Sequence, residues 1–298
     1  MSGVLQALSA ALVETVARAE GGVVRVEGRQ RLAGSGIVWS ADGIVVTASH
    51  VVEREDNLRV GLADGRSVRA GLAGRDAATD LAVLRAEASS LSPLAWAEPD
   101  ALAVGGLALA LGRPGDKVLA TLGVLSALDC GWTTRAGGLI DRYVQSDAVM
   151  YPGFSGGPLM DVERRVIGLN SSALMQGLSL AVPAPTVRRV VETVLAGRTV
   201  RRGYLGVTAQ AVPLPAALAE TLGQTTGLLL THIEPRSPAD RGRLVQGDTL
   251  VTLNGKPLRS LQDLQLVLGT NDPGREAPVR LVRAGAVREA RVVLRERE

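Results

Sequence analysis

The chain has 298 residues, 46% of them hydrophobic and 21% charged, which is enough to bury a sizeable core and favours two domains over one. The net charge of +3 gives no bulk electrostatic support for binding a nucleic acid or an anionic membrane. The single cysteine, Cys130, excludes an intramolecular disulfide, and with His50 and His232 as the two histidines a histidine–cysteine metal site is nearly excluded. We therefore expect no metal, no cofactor and no nucleic-acid partner.

The first predicted element is a helix over residues 4–17, whose apolar side chains share one face. That face favours packing of the helix on its own domain or on a neighbouring subunit. No basic region precedes the segment and no convincing cleavage site follows it, so it is a poor candidate for a signal peptide. Elsewhere no apolar run reaches the roughly 18–20 residues that span a bilayer, and we expect no membrane span.

Short strands separated by turn signals are predicted between residues 22 and 182, a pattern typical of an all-β barrel or sandwich. Aromatic residues make up 2% of the chain, so valine, leucine, isoleucine and alanine must build the core. Asp42-Gly43 lies between two apolar runs and predicts a hairpin, because glycine accepts the positive φ of a tight turn. Pro183 and Pro185 end the strand series, and Thr186 is the expected cap of a helix.

That helix is expected to close at Gly197, and the arginine-rich segment 198–203 is typical of an exposed linker. About 95 residues follow, with their own predicted strands and helices and enough length for a second core. We therefore expect two domains, residues 1–199 with the N-terminal helix and residues 200–298.

Three polar residues of the first domain suit nucleophilic acyl transfer, which needs a serine, a base and a carboxylate that orients the base. His50 ends an apolar strand, whereas His232 lies in the second domain with an expected structural or surface role. Asp80 directly precedes a short apolar strand, and Ser155 lies in the sequence Gly-Phe-Ser-Gly-Gly-Pro. The order His50, Asp80, Ser155 is that of chymotrypsin and not of subtilisin or the α/β-hydrolases.

The serine loop also predicts an oxyanion hole. Its glycines allow a tight turn with successive amides pointing one way, and the amides of Gly153 and Ser155 are the expected donors. Each signal by itself has a plain structural explanation, such as a polar strand end or a glycine turn. Their conjunction in this order, on an all-β background, favours the catalytic interpretation.

Three segments, residues 47–52, 76–84 and 153–158, resemble the active-site blocks of HtrA/Deg-type serine proteases. The resemblance covers nearly the whole chain, because the second domain resembles the PDZ domain of that family. It implies a mainly β fold, with a chymotrypsin-like double β-barrel followed by an α+β PDZ domain. It also implies an ATP-independent endopeptidase that degrades unfolded or damaged proteins, and a homotrimer.

The PDZ resemblance rests on residues 202–207 and on the segment Leu-Val-Gln-Gly-Asp at 244–248. Successive backbone amides in the first segment can bind the terminal carboxylate of a peptide, which would add as a strand beside that edge. A helix from about residue 260 to 268 would form the other wall, although its leucines also suit the core. The expected peptide-binding residues are Tyr204, Leu205, Gly206, Val207, Leu261 and Leu264.

The residue before the serine departs from the family pattern. That residue is usually Asn, or Asp in digestive trypsin-like enzymes, and here it is Phe154. Phenylalanine cannot form the side-chain hydrogen bonds of those residues, so we expect apolar contacts to hold the loop. Pro152 also stiffens the approach to it. Both changes leave every catalytic atom in place and raise the expectation of low activity or a gated site.

The primary specificity pocket is expected to be uncharged. In this architecture the residue six before the nucleophile floors the pocket, and here it is Val149, opposite Leu178 and Leu180. A buried cation would cost several kcal/mol to desolvate without an acidic partner. We therefore expect cleavage after small or medium aliphatic residues.

A weakly active or silent protease that acts as a peptide-binding, chaperone-like module is the alternative, and Phe154 is the feature that favours it. Expected partners are unfolded proteins or peptides, and peptide C-termini at the PDZ domain. The family works mostly outside the cytoplasm, whereas the missing export signal leaves the cytoplasm open.

Overall fold

The computed structural model of the protein describes residues 2–30, 32–98, 102–198, 203–270 and 274–296. Contacts divide the chain into two compact units, Met1–Val200 and Arg201–Glu298. Residues 199–202 of the predicted linker lie outside the described residues.

The first unit opens with helix α1 (Ser2–Ala19), close to the predicted bounds, and continues into a closed six-stranded barrel. The strands of the first barrel are β1 (Val23–Glu27), β2 (Gly34–Val38), β3 (Ile44–Ala48), β4 (Arg59–Gly61), β5 (Ser67–Asp76) and β6 (Leu81–Ala86). They are ordered β1-β2-β3-β6-β5-β4. The predicted hairpin joins β2 to β3, and Gly43 has a φ of +98°, where a Cβ would lie 2.4 Å from the carbonyl oxygen of Ala86.

A second closed barrel follows, which confirms the predicted double-barrel architecture. Its strands are β7 (Leu107–Gly112), β8 (Leu119–Asp129), β11 (Tyr143–Ser146), β12 (Pro158–Met160), β13 (Val166–Ser171) and β14 (Ser179–Pro183), and the hairpin of β9 (Trp132–Thr133) and β10 (Leu139–Ile140) is inserted after β8. The order is β11-β14-β13-β12-β7-β8. Buried aliphatic residues from both barrels, such as Val83 and Val182, belong to one core cluster, which holds the two barrels together.

Helix α2 (Ala184–Leu195) closes the first unit, and its start differs from the prediction. The helix begins two residues before Thr186, with Pro183 as the cap and Pro185 in the first turn. Proline is tolerated there because the first amides of a helix have no acceptor within it. Thr186 is buried, and its hydroxyl donates to the Asp141 carboxylate at 2.6 Å instead of capping the helix.

Helix α1 is only partly covered by its own unit. Leu12 and Val16 pack against the core cluster, and Thr15 is buried. Val4 and Leu5, near the start of the helix, are strongly exposed. In the described part of the chain no helix has both the length and the apolar character that a membrane span requires.

The second unit is an α+β fold around a six-stranded sheet. Its elements are β15 (Gly203–Tyr204), β16 (Val207–Pro213), α3 (Ala216–Leu222), β17 (Thr226–Ile233), α4 (Pro238–Arg241), β18 (Thr249–Leu253), β19 (Lys256–Pro257), α5 (Leu261–Thr270), β20 (Glu276–Arg283), β21 (Ala286–Val293) and β22 (Arg295–Glu296). The sheet order is β16-β17-β18-β20-β21, with β19 beside β18, so β16 lies at one edge. Strands β15 and β22 form a separate two-stranded sheet. The buried Asp248 carboxylate accepts two hydrogen bonds from Arg283, which raises the pKa of that guanidinium.

Candidate active site

His50 and Asp80 are neighbours at the paired ends of β3 and β6. His50 lies in the 3₁₀ turn Ser49–Val51 that follows β3, and Asp80 directly precedes β6. The His50 Nδ1 donates to Oδ1 and Oδ2 of Asp80 at 3.0 Å and 2.9 Å, and the His50 backbone amide also donates to Oδ1 at 3.0 Å. Because a carboxylate only accepts, Nδ1 carries the proton and Nε2 remains free to accept one.

The second barrel supports the carboxylate. Ser171, the last residue of β13, donates a short hydrogen bond from its hydroxyl to Oδ2 of Asp80. Asp80 is buried and adopts a positive φ of +58°, and its carbonyl oxygen accepts from the amide of Ser49 at 3.0 Å. These bonds leave Asp80 in one orientation, with its carboxylate directed at His50.

Ser155 lies in the loop between β11 and β12 and is 7% exposed. Its Oγ hydrogen-bonds with the hydroxyl of Ser172 at 3.0 Å and accepts a longer bond from the Ser172 amide at 3.4 Å. Among the described residues Ser155 forms no hydrogen bond with His50. Both side chains line one cleft of about 640 Å³.

The serine loop needs its glycines. Gly153 and Gly156 have φ values of +90° and +89°, and a Cβ on Gly156 would lie 2.0 Å from the carbonyl oxygen of Ser35. The Gly156 amide donates to the carbonyl of Asn170 at 2.9 Å. In the part of the chain that the structure describes, the amides of Gly153 and Ser155 have no acceptor. These two donors therefore remain available for an anionic oxygen.

Ser35 of β2 ties this loop to the first barrel. Its amide donates to the carbonyl of Ser155 at 3.0 Å, and its hydroxyl donates to the carbonyl of Gly153 at 2.6 Å. The same hydroxyl accepts from the backbone amide of Arg113 at 2.7 Å. Three backbone positions are thus fixed by one buried serine.

Arg113 is itself an unusual anchor, because its side chain is 1% exposed and is held mainly by backbone oxygens. The guanidinium donates to the carbonyls of Val23 at 2.7 Å, Glu20 at 2.9 Å and Asp116 at 2.5 Å. The Glu20 carboxylate lies 3.6 Å away. Arg113 therefore links the residue after α1, strand β1 and the loop after β7 to the serine loop.

Phe154 is fully buried beneath the loop, as expected from its apolar character. Its ring packs edge-on against Tyr151, with the centroids 5.8 Å apart and an interplanar angle of 81°. Gly112 approaches so closely that a Cβ there would lie 2.7 Å from the phenylalanine ring. Apolar packing therefore occupies the position next to the serine.

The predicted pocket residues do not line the cleft beside Ser155 in the described structure. Val149 is 56% exposed, and Leu180 is buried in β14, where it pairs with Gln145. The second barrel contributes Met150 and Tyr151 to the cleft instead. A pocket formed by Val149, Leu178 and Leu180 stays a prediction.

The predicted peptide groove of the second unit lies between the edge of β16 and helix α5. β16 is paired on one side with β17, and α5 packs near its other side. Among the described residues, the amides of Leu205 and Gly206 have no acceptor.

The predicted side chains of the groove differ in exposure. Leu261 is 47% exposed, whereas Leu264 is 5% exposed and belongs to the core cluster. Tyr204 pairs with Arg295, and its hydroxyl donates to Glu234.

Several residues of the site carried no separate signal in the sequence. Ser171 ends the buried strand β13 and Ser172 follows it, and a polar residue at such a strand end is the signal that singled out His50. Met150 differs from the predicted pocket residue by one position. The anchoring roles of Ser35 and Arg113 come from contacts between segments far apart in the chain, which spacing alone does not report.

Comparison with protein families agrees with this architecture. Residues 34–169 match the trypsin-like peptidase domain and residues 203–294 match the PDZ domain. Two relatives are each described as a probable periplasmic serine endoprotease, DegP-like. The Chlamydia trachomatis protein is 34% identical over 91% of this chain and 55% of its own length, and the Ectopseudomonas mendocina protein is 36% identical over 90% and 58%. The chain thus spans about half the length of these curated relatives.

Solved structures are similar over almost the whole chain. The HtrA-type protease AlgW with a decapeptide has a TM-score of 0.80 at 26% identity, covering 96% of this chain and 98% of that one. The serine endoprotease from Yersinia pestis has a TM-score of 0.78 at 29% identity, with the same two coverages. The double barrel and the PDZ domain predicted from the sequence are both confirmed.

Proposed function

Since the chain belongs to the trypsin-like peptidases that carry a PDZ domain, we propose that it is a serine endopeptidase with Ser155 as its nucleophile. The observation that carries the proposal is the pair of bonds from His50 Nδ1 to Asp80 in a cleft shared with Ser155. This arrangement directs the basic Nε2 of His50 away from the carboxylate, as a general base requires.

In the proposed reaction Ser155 Oγ forms a bond to the scissile carbonyl carbon, and its proton moves to Nε2 of His50. The tetrahedral intermediate then breaks the carbon–nitrogen bond, and the imidazolium returns the proton to the leaving amine. Water repeats the sequence on the acyl-enzyme with the same base. Asp80 keeps the imidazole tautomer and stabilises its positive charge. Before the first step, the serine hydroxyl must exchange its Ser172 partner for His50.

The amides of Gly153 and Ser155 form the proposed oxyanion hole. Support comes from the lack of an acceptor for either amide among the described residues. The bond from Ser35 to the Gly153 carbonyl also restrains that peptide group. Donors fixed before the reaction stabilise the developing charge without reorganisation.

Cleavage after small or medium aliphatic residues is proposed. Its support is the uncharged character of Met150 in the cleft and of the expected pocket residues Val149, Leu178 and Leu180. Among the described residues that line the cleft, the second barrel contributes no acidic side chain that would compensate a buried lysine or arginine.

The proposed substrates are unfolded or damaged proteins, cut without ATP. The PDZ domain would bind their C-termini or extended segments along β16, through the amides of residues 204–207 and the exposed Leu261. The similar HtrA-type protease AlgW was solved with a decapeptide, which supports a peptide as the ligand class.

A homotrimer outside the cytoplasm is proposed for the assembly and compartment. The periplasmic description of the relatives supports the compartment. The exposed apolar start of α1, with Val4 and Leu5, supports burial against another subunit.

A second candidate function is a chaperone-like binding module with a weak protease. It is favoured by one observation, the bond between Ser155 and Ser172 where a bond to His50 would activate the serine. In that case the chain would bind unfolded proteins and turn them over slowly.

A fluorophosphonate probe with casein digestion distinguishes these functions. The wild-type protein is expected to label and to digest casein, whereas Ser155→Ala should do neither. Absence of labelling under conditions that unfold a model substrate would contradict the enzyme. Digestion by Ser155→Ala at the wild-type rate would contradict the choice of nucleophile.

A further inference from the structure

Two oppositely charged side chains line the cleft without an ionic partner among the described residues. Arg29 lies between β1 and β2, and Glu53 follows the 3₁₀ turn that contains His50. Several other charged residues of the first barrel do form ion pairs, such as Arg25 with Glu27. A charge left unpaired beside the candidate nucleophile is available to a bound chain.

Backbone bonds bring the two segments together, yet the side chains do not pair. The amide of Glu53 donates to the carbonyl of Gly28 at 3.0 Å, so Arg29 and Glu53 lie on neighbouring, hydrogen-bonded backbone segments. Arg29 instead donates from Nε to the carbonyl of Leu32 at 2.5 Å. That bond orients the guanidinium and leaves its two terminal nitrogens without acceptors within the described part of the chain.

The two charges come from the barrel that does not hold the expected acyl pocket. Met150, Tyr151 and Ser172 come from the second barrel, which also holds the expected acyl pocket. Arg29 and Glu53 come from the first barrel. When the residue before the scissile bond packs against the second barrel, we expect the residues after the bond to lie along the first barrel.

We propose that Arg29 and Glu53 form a charge-selective subsite for the residues that follow the scissile bond. Arg29 takes an acidic side chain, because the planar guanidinium offers paired donors that match a carboxylate. Glu53 takes a basic side chain at a neighbouring position and disfavours a second acidic one. The subsite rests on the proposed protease function. It specifies that function further, because it states which charged residues are preferred after the scissile bond.

Matched quenched peptides test the subsite. All peptides share one aliphatic residue before the cut and differ only within the first four residues after it, with Asp, Lys or Ala at each position in turn. For the wild-type protein, Asp at one of these positions should raise kcat/KM about fivefold over Ala, the gain expected from one exposed ion pair. Lys at a neighbouring position should gain a similar factor, and 0.5 M salt should reduce both preferences.

Charge reversals identify the residues responsible. Arg29→Glu should invert the preference from Asp to Lys, and Glu53→Arg should remove the gain from Lys. Arg54→Glu is the matched control, because Arg54 is exposed next to Glu53 and is not among the described residues that line the cleft. Its peptide preferences should equal those of the wild-type protein.

The outcomes separate the subsite from the protease. Ser155-dependent cleavage whose charge preference is the same in wild type, Arg29→Glu and Glu53→Arg would overturn the subsite alone. Cleavage that persists in Ser155→Ala would overturn Ser155 as the nucleophile beside the subsite, and no cleavage of any peptide or of casein would overturn the protease function on which the subsite rests.

Discussion

The hydroxyls of Ser155 and Ser172 lie 3.0 Å apart, so the candidate nucleophile is bonded to a neighbouring serine and not to the imidazole. The residue beside Ser172, Ser171, donates to the carboxylate of Asp80, which in turn accepts from His50. Two consecutive serines at the end of β13 therefore contact both ends of the candidate triad. One of them supports the base, and the other competes with it for the nucleophile.

Ser172→Ala should increase the reactivity of Ser155. A neutral hydrogen bond is worth about 0.5–1.5 kcal/mol, so its loss should speed labelling by a fluorophosphonate about two- to tenfold. The second-order labelling rate measures this directly. Ser126→Ala, which changes an exposed serine on β8, should leave the rate unchanged. A slower rate for Ser172→Ala would mean that Ser172 helps the nucleophile and does not restrain it.

Asp80→Asn should lower kcat by about four orders of magnitude while the fold is retained, because an amide cannot hold the imidazole in the required tautomer. Ser171→Ala removes one hydrogen bond to the same carboxylate and should lower kcat about tenfold or more. Peptide hydrolysis measures kcat, and circular dichroism checks the fold. An unchanged kcat for Ser171→Ala would contradict a supporting role for Ser171.

Ser35→Ala should weaken the oxyanion hole more than substrate binding. The change leaves the Gly153 carbonyl and the Arg113 amide without their shared partner, so the loop gains freedom. We expect kcat to fall about tenfold or more, since one oxyanion donor is worth about 2.7–4 kcal/mol, with little change in KM. Ser40→Ala, in the hairpin away from the loop, should change neither constant. A higher KM at constant kcat would contradict this role.

Phe154→Ala should destabilise the first unit by about 3–5 kcal/mol, the range for removing a buried aromatic ring. Tyr151→Ala removes the half-exposed member of the same ring pair and should cost about 1 kcal/mol. Urea unfolding of both variants gives the comparison. Similar small losses would show that the ring of Phe154 does not hold the serine loop.

Substitutions at Leu261 and Leu264 should have different effects, one on peptide binding by the PDZ domain and the other on its stability. Leu261→Glu places a charge on an exposed position and should abolish binding of peptides with an apolar C-terminus, with little change in thermal stability. Leu264→Ala removes a buried side chain and should cost about 2–5 kcal/mol. Calorimetric titration and thermal unfolding measure the two effects. Unaltered peptide binding by Leu261→Glu would exclude Leu261 from the groove.

The double barrel was implied by the family resemblance, whereas the amino-acid sequence by itself predicted two domains and the choice of His50, Asp80 and Ser155 as candidates. These features depend on local patterns, namely period-two strands, glycine turns and the order of three motifs along the chain. The position of Phe154 followed from the same logic, because a lone phenylalanine among glycines is most stable when it is buried.

Only the tertiary structure decided which atoms meet around the serine. The bonds from Ser171 to Asp80, from Ser172 to Ser155 and from Ser35 to Gly153 join residues between 17 and 118 positions apart. Such contacts depend on how the two barrels pack, and their side-chain directions follow from the register of strands that are not adjacent in sequence. For the same reason the sequence did not identify Met150, the neighbour of the predicted pocket residue Val149, as a residue that lines the cleft.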